Sequence, residues 1–234
     1  MLGIIGAMKE EVDELLDLMD IIDERSVLNY HFYQGTLGQE ATVVVQGGVG
    51  KVNATISTTL MLTNFDVDYV INIGSAGGLK MDQEVGDIII GERVVHHDVD
   101  LVGFNYEYGA LPGLPVYYQA DKRLVSLSKS ILDNLSLSEH CGLIASGDQF
   151  IHEQNQVDGI FEHFPKALCA DMEAASIAQT CTVFGVPFII TRGLSDIFNK
   201  GNNMIQFDQY LAKASKSSAK MCYELAQALA KDEK

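Results

Sequence analysis

Short apolar runs and stretches of helical periodicity alternate along this chain. "LGIIGAM" predicts a strand. Behind it Val12, Leu15, Leu16 and Met19 recur at i, i+3, i+4 and i+7, which predicts a helix from about Lys9 to Met19. "YHFYQGTL" and "EATVVVQGGV" have the makeup of two strands joined by a tight turn at "LGQE". A helix-like stretch, "KVNATISTTLML", precedes a buried strand, "DYVINIG", that runs into "GSAGG". "GDIIIGERVVHHDVD" is long and strand-like and leads to the aromatic loop "GFNYEYGALPGLPVYY". Residues 121–134 and 207–230 carry helical patterns, while "CGLIASGD" and "PFIITRGLSD" read as strands. The Ala-rich "CADMEAASIAQTC" reads as buried helix. No low-complexity linker, repeat or charge block divides the chain. The pattern predicts one α/β domain over residues 1–234, with a parallel or mixed central sheet covered by helices.

In such sheets ligands gather outside the carboxyl ends of the strands. Three carboxylates follow strands here. Glu173, if helical, shares a face with Ile177 and Cys181, where a carboxylate is costly to bury without partners. Yet acids in a first turn also complement the helix dipole, so Asp171 and Glu173 fit a structural as well as a functional role. Glu10, Asp13, Glu14 and Asp17 form the polar face of the first helix, whereas Glu11 borders its apolar stripe with Met8, Leu15 and Leu18. Capping and catalysis are both open to it. Asp196 ends a strand and is followed by "IFNKGNN", which reads as loop, so a site acid is favoured over a helix cap. Ser75 in "GSAGG" offers a hydroxyl where glycines allow close approach, although a tight turn explains the glycines equally. Met8, Phe150, Ile151, Met172, Phe207 and the 104–108 loop supply apolar surface from the same edge. Such a set suits cleavage of a polar bond through a cationic transition state by acid and base groups.

Charge and composition narrow the field. Thirty-two acids against sixteen bases give a formal net charge of −16, the wrong sign for nucleic acid. No apolar stretch approaches the roughly 18 residues of a membrane span. "MLGIIGAMKEE" lacks a basic n-region and a long apolar core, and the four cysteines are scattered, so a cytoplasmic protein with reduced thiols is expected. "GGVGKVNA" misses both the dinucleotide and the P-loop patterns, at Asn53 and Val52, which favours a plain strand-to-helix turn. In "HHDVD", His96, Asp98 and Asp100 would share a strand face, but no further cluster completes a metal site. Neither metal nor cofactor is expected.

Taken in order, "GIIGAMKEEV", "GVGKVNA", "INIGSAGGL", "GDIII", "FNYEYGALPG", "ASGDQFI", "DMEAASIAQTC" and "RGLSD" resemble the bacterial 5′-methylthioadenosine/S-adenosylhomocysteine nucleosidases, within the nucleoside phosphorylase/hydrolase superfamily. The resemblance implies a three-layer sandwich with a mixed sheet flanked by helices. It also implies hydrolysis of an adenine N-glycosidic bond. By the same resemblance Asp196, supported by Ser195, would protonate adenine N7, Glu11 would activate water, and Glu173 would bind the ribose hydroxyls. Phe150 would stack on the base, the Ile151 backbone would read its edge, and Ser75 and Gly77 would line the floor. Met172 would pack against the ribose and base, and Met8, Val49 and Phe207 would line the ribose and alkylthio pocket. Leu101 and Phe104 would complete that pocket across a homodimer interface. Three positions depart from the family pattern: Gly193, Asp171 and Ser176.

The rivals are a phosphorylase of the same superfamily, a nucleosidase of other 5′-modified nucleosides, and a non-catalytic nucleoside-binding relative. A phosphorylase needs a cationic cradle. This chain has four arginines and places a carboxylate in its first glycine loop, which favours water.

Overall fold

The computed structural model describes residues 1–135 and 139–232. In chain order the elements are β1 (Leu2–Gly6), α1 (Lys9–Leu16), β2 (Met19–Val27), β3 (Tyr30–Leu37), β4 (Glu40–Gln46), α2 (Lys51–Asn64), β5 (Tyr69–Asn72), β6 (Ser75–Gly78) and β7 (Ile88–His96). A short 3-10 turn at Val102–Phe104 precedes β8 (Tyr118–Gln119), α3 (Lys122–Leu135), β9 (Glu139–Ser146), α4 (Gln154–His163), β10 (Ala167–Asp171), α5 (Ala174–Phe184), β11 (Phe188–Ile197) and α6 (Asn203–Asp232).

The strands form one mixed sheet in the order β2-β3-β4-β1-β5-β11-β6-β10-β9-β7-β8. β1 runs parallel to both β4 and β5 and is buried at every residue, as a strand covered on both faces requires. β11 is long enough to pair twice. Its first half runs beside β5, its second half beside β6, and Ile190–Gly193 also pair antiparallel with β7. That extra pairing closes β11, β6, β10, β9 and β7 into a ring. Helix α2 packs on α5, while α6 packs on α1, α3 and β11. The main core joins Ile4, Ile71, Ile189, Ile190 and Leu225. A smaller cluster around Leu143, Ile151 and Phe164 supports the far side of the strand ends.

Several elements differ from the sequence expectation. Helix α1 stops at Leu16, and Met19 instead opens β2, opposite Leu37. β2 is an edge strand exposed from Asp20 to Ser26, so it carries no apolar alternation to announce it. "GSAGG" is not a turn: four of its residues form β6, between β11 and β10. "CADMEA" is not the start of a helix, because Asp171 ends β10 and α5 begins at Ala174. Helix α6 begins at Asn203, inside the stretch read as loop, and α4 was not anticipated. Gly193, one of the departures, has a packing role. A Cβ there would stand 2.5 Å from the backbone oxygen of Ala214, so glycine lets α6 lie close against β11.

Candidate active site

A cavity of about 300 Å³ opens where several strands end. Met8 follows β1, Val49 follows β4, Phe150 and Ile151 follow β9, and Met172 and Glu173 follow β10. Ser75 and Gly77 lie on β6, Ser195 and Asp196 on β11, Glu11 in the first turn of α1 and Phe207 in α6. All twelve line this one cavity. Leu101 and Phe104 do not. Leu101 precedes the 3-10 turn and Phe104 ends it, the first half-buried and the second 79% exposed, both outside the cavity of their own chain.

Glu11 is buried and fully partnered. Its Oε2 accepts from the backbone N–H of Ala7 (2.8 Å) and Met8 (3.1 Å). Its Oε1 accepts from the N–H and hydroxyl of Ser75 at 2.9 and 3.1 Å. One oxygen therefore caps the helix and the other reaches β6, so the capping role is met while the side chain still lines the cavity. Gly74 makes room for it, since a Cβ there would lie 3.1 Å from Oε1.

The two acids of "DMEA" divide the work. Asp171 does the capping: its Oδ2 accepts from the N–H of Ala174 at 2.9 Å. The same oxygen receives Arg192 Nη2 at 2.6 Å and Nε at 3.1 Å, while Ser146 Oγ donates to Oδ1. Both members of the Asp171–Arg192 pair are 1% exposed at their side chains. Arg192 also donates to Asn72 and to the carbonyl of Thr191, so the guanidinium is fully engaged. Glu173, at the N-cap of α5, makes no cap bond with its side chain. Its Oε1 instead accepts from Gly50 N–H at 2.8 Å, across the cavity edge. Gly50 sits at φ +94°, in the turn that joins β4 to α2, so that turn serves a carboxylate rather than a phosphate. Burial, reinforced by the charge of Asp171, pushes the Glu173 carboxyl up to about 8.

Asp196 is 1% exposed and stands at an irregularity in the β11–β6 register between Leu194 and Asp196. Ser195 Oγ donates to its Oδ1 at 2.9 Å, and Asn203 Nδ2 donates to its Oδ2 at 2.6 Å. A Cβ on Gly77 would come within 3.2 Å of Oδ2, so glycine keeps this oxygen open on the cavity side. Burial raises the Asp196 carboxyl above the usual range, against the pull of both donors. Phe150 and Phe207 face each other edge-on, with centroids 5.8 Å apart, at the apolar mouth. A buried acid whose hold on its proton is strengthened, two further carboxyl groups and an aromatic wall can protonate a leaving group and stabilise a cation beside it.

The shared strand face expected of "HHDVD" is absent. β7 ends at His96, whose Nε2 meets Gln179 Oε1 at 2.9 Å, and Asp98 pairs with Lys51 at 2.6 Å.

Residues 1–229 match the family model described as the Phosphorylase superfamily. A 5′-methylthioadenosine/S-adenosylhomocysteine nucleosidase from Exiguobacterium is 48% identical over 94% of this chain and 94% of its own. The chain belongs to that nucleosidase family. The nucleosidase of Neisseria meningitidis, solved with methylthio-immucillin-A, superposes with a TM-score of 0.93 at 38% identity, over 97% of this chain and 98% of that one. The nucleosidase of Colwellia psychrerythraea, solved with adenine, gives 0.91 at 37% identity, over 96% and 93%. In this member of the nucleosidase family, the sequence alone does not mark Arg192 or Asn203 as partners of the site acids, nor Ser146 as the partner of Asp171. No local motif flags them, because each acts on a partner far away in the chain or across a loop. The one available signal was the arginine inside an apolar strand, "FIITRGL", which requires a buried anion.

Proposed function

We propose that this chain hydrolyses the N-glycosidic bond of 5′-methylthioadenosine and S-adenosylhomocysteine, releasing adenine and the 5-substituted ribose. One observation carries the reading. Three carboxylates from separate elements meet in a largely apolar cavity of small-molecule size, and no lysine or arginine is among the described lining residues. Asp196, protonated by virtue of its burial, gives its proton to adenine N7 as the C1′–N9 bond breaks. Glu173 binds the ribose hydroxyls. Glu11, fixed by four hydrogen bonds, holds water on the opposite side and takes its proton as the oxygen joins C1′. Phe150 stacks on the base, and Met8, Met172, Val49 and Phe207 enclose the ribose and the 5′ substituent.

The proposal extends to 5′-deoxyadenosine, which shares the adenine and ribose contacts. It also extends to a place in purine and methionine salvage in the cytoplasm, and to a homodimer. Among the described residues no helix is long and apolar enough to cross a membrane. In the dimer, Leu101 and Phe104 of one protomer would close the 5′ end of the other protomer's cavity. The exposed Phe104 ring is apolar surface that a second copy would cover.

The test is adenine release from 5′-methylthioadenosine with and without phosphate, with the sugar identified. Free methylthioribose, indifferent to phosphate, is expected. A sugar 1-phosphate formed only with phosphate would overturn the role given to Glu11. Asp196→Asn is expected to lose about 10²–10⁴-fold in turnover, and full activity with a flat pH profile would remove it as the acid.

A further inference from the structure

Asp196 is held from two sides. Ser195 is its neighbour in the strand, but Asn203 comes from another element, the first residue of α6. The Asn203 contact is 2.6 Å, and both residues are buried, at 6% and 1% exposure. The surrounding segment is built to deliver that amide. Gln206 Oε1 accepts from Ile197 N–H at 3.1 Å, and its Nε2 donates to Lys200 O at 2.7 Å. Lys200 Nζ in turn reaches Gln83 O at 2.6 Å and Glu84 at 2.8 Å. One turn beyond Asn203 stands Phe207, a wall of the cavity. A single helical turn thus carries both an aromatic wall and a hydrogen-bond donor to the buried acid.

We infer that Asn203 is a positioning residue that ties the readiness of Asp196 to give up a proton to the docking of α6. The inference rests on the proposed role of Asp196 as the acid. An amide donor favours the carboxylate without adding a charge. It offsets part of the burial effect and keeps the carboxyl able both to hold a proton and to release it, which is the balance general acid catalysis needs. The charged groups around the same cavity are Glu11 from α1, Glu173 at the start of α5, and the Asp171–Arg192 pair of β10 and β11, whose two charges offset each other. β6 presents Ser75 and Gly77 there, which carry no charge. Asn203 is therefore the group on α6 through which the position of that helix reaches the acid. If the first turn of α6 lifts, the donor leaves, and Asp196 binds its proton more tightly.

The experiment compares the whole protein as wild type, Asn203→Ala and Asn203→Asp, with carboxyl-13C aspartate and no ligand. The Asp196 signal is identified by its loss in Asp196→Asn. Its midpoint is expected to rise by about one pH unit in Asn203→Ala, the loss of one hydrogen bond to a charged group. It rises further in Asn203→Asp, where a second carboxylate disfavours ionisation. Asn203→Asp keeps the side chain's shape, so the test stands even where the alanine variant does not fold. The alkaline limb of kcat/KM for adenine release from 5′-methylthioadenosine is expected to move with the midpoint. A midpoint unchanged in the variants, or an alkaline limb that stays put while the midpoint moves, would overturn the inference. Because the titration needs no substrate, a wild type that releases no adenine while the midpoint still shifts would retire the nucleosidase reading and support the link between Asn203 and Asp196.

Discussion

Replacing Glu173 with Gln separates its charge from its shape. The carboxyl is 8% exposed and is pushed from 4.5 to about 8, first by burial and then by Asp171, against Arg192 and the Gly50 N–H. Between those two values the unfolded chain has released this proton and the folded protein has not. Stability must therefore fall as pH rises from about 4.5 towards 8, and level off above. Each pH unit in that window costs about 1.4 kcal/mol, so the ceiling is on the order of 5 kcal/mol. Gln keeps an acceptor for Gly50 N–H and has no proton to lose. Urea midpoints at pH 5, 7 and 9 should show Glu173→Gln nearly level with wild type at pH 5. The variant should be more stable by roughly 2–4 kcal/mol at pH 7, and the lead should widen towards that ceiling by pH 9. Adenine release should fall as well, because Gln replaces one of the two oxygens of the side chain proposed to bind the ribose hydroxyls. A stability gap independent of pH would mean that Glu173 is already ionised at pH 5 in the folded protein. A wild type more stable than the variant at pH 9 would refute the reasoning outright.

Two further outcomes follow from packing. Arg192→Met leaves Asp171 buried without its counter-charge and should cost about 3–5 kcal/mol in urea unfolding, whereas joining it with Asp171→Leu should recover part of that loss. Equal loss in the single and double variants would show that the capping of α5 by Asp171, and not the charge pair, dominates. Gly193→Ala puts a Cβ 2.5 Å from Ala214 O and should destabilise by about 1–3 kcal/mol, read as a lower thermal midpoint. An unchanged midpoint would mean that α6 shifts freely along β11.

The elements legible in the sequence are those whose burial follows a simple period. β1, β5 and β11 read as apolar runs because both faces are covered, and α2 and α3 show helical stretches. β2 and β6 failed for opposite reasons. β2 is too exposed to show alternation, and β6 is glycine-rich because the neighbouring strands and Asp196 crowd it. Met8, Val49, Phe150, Ile151, Met172 and Glu173 are legible as positions that follow strands, and twelve of the fourteen residues named from sequence line the cavity. Periodicity could not tell which oxygen meets which donor. Glu11 and Glu173 were ambiguous between cap and site because a first-turn acid satisfies both descriptions until its partners are known.

Arg192 shows how that gap bears on the chemistry. Counted along the sequence, it is only one of four arginines, close before "SD". In the fold its Nε and Nη2 are taken by Asp171, and Nη1 and Nη2 by Asn72 and Thr191, and Arg192 is not among the described residues lining the cavity. A guanidinium bound on every side cannot also form a cradle for an incoming dianion without leaving Asp171 buried and unpaired. The preference for water over phosphate thus rests less on how few cations the chain has than on where its buried one is held. Asp171 fixes Arg192 and accepts from the N–H of Ala174, the first residue of α5, and Glu173 is the N-cap of that helix. The residue that occupies the buried guanidinium therefore also caps the helix at whose start Glu173 stands.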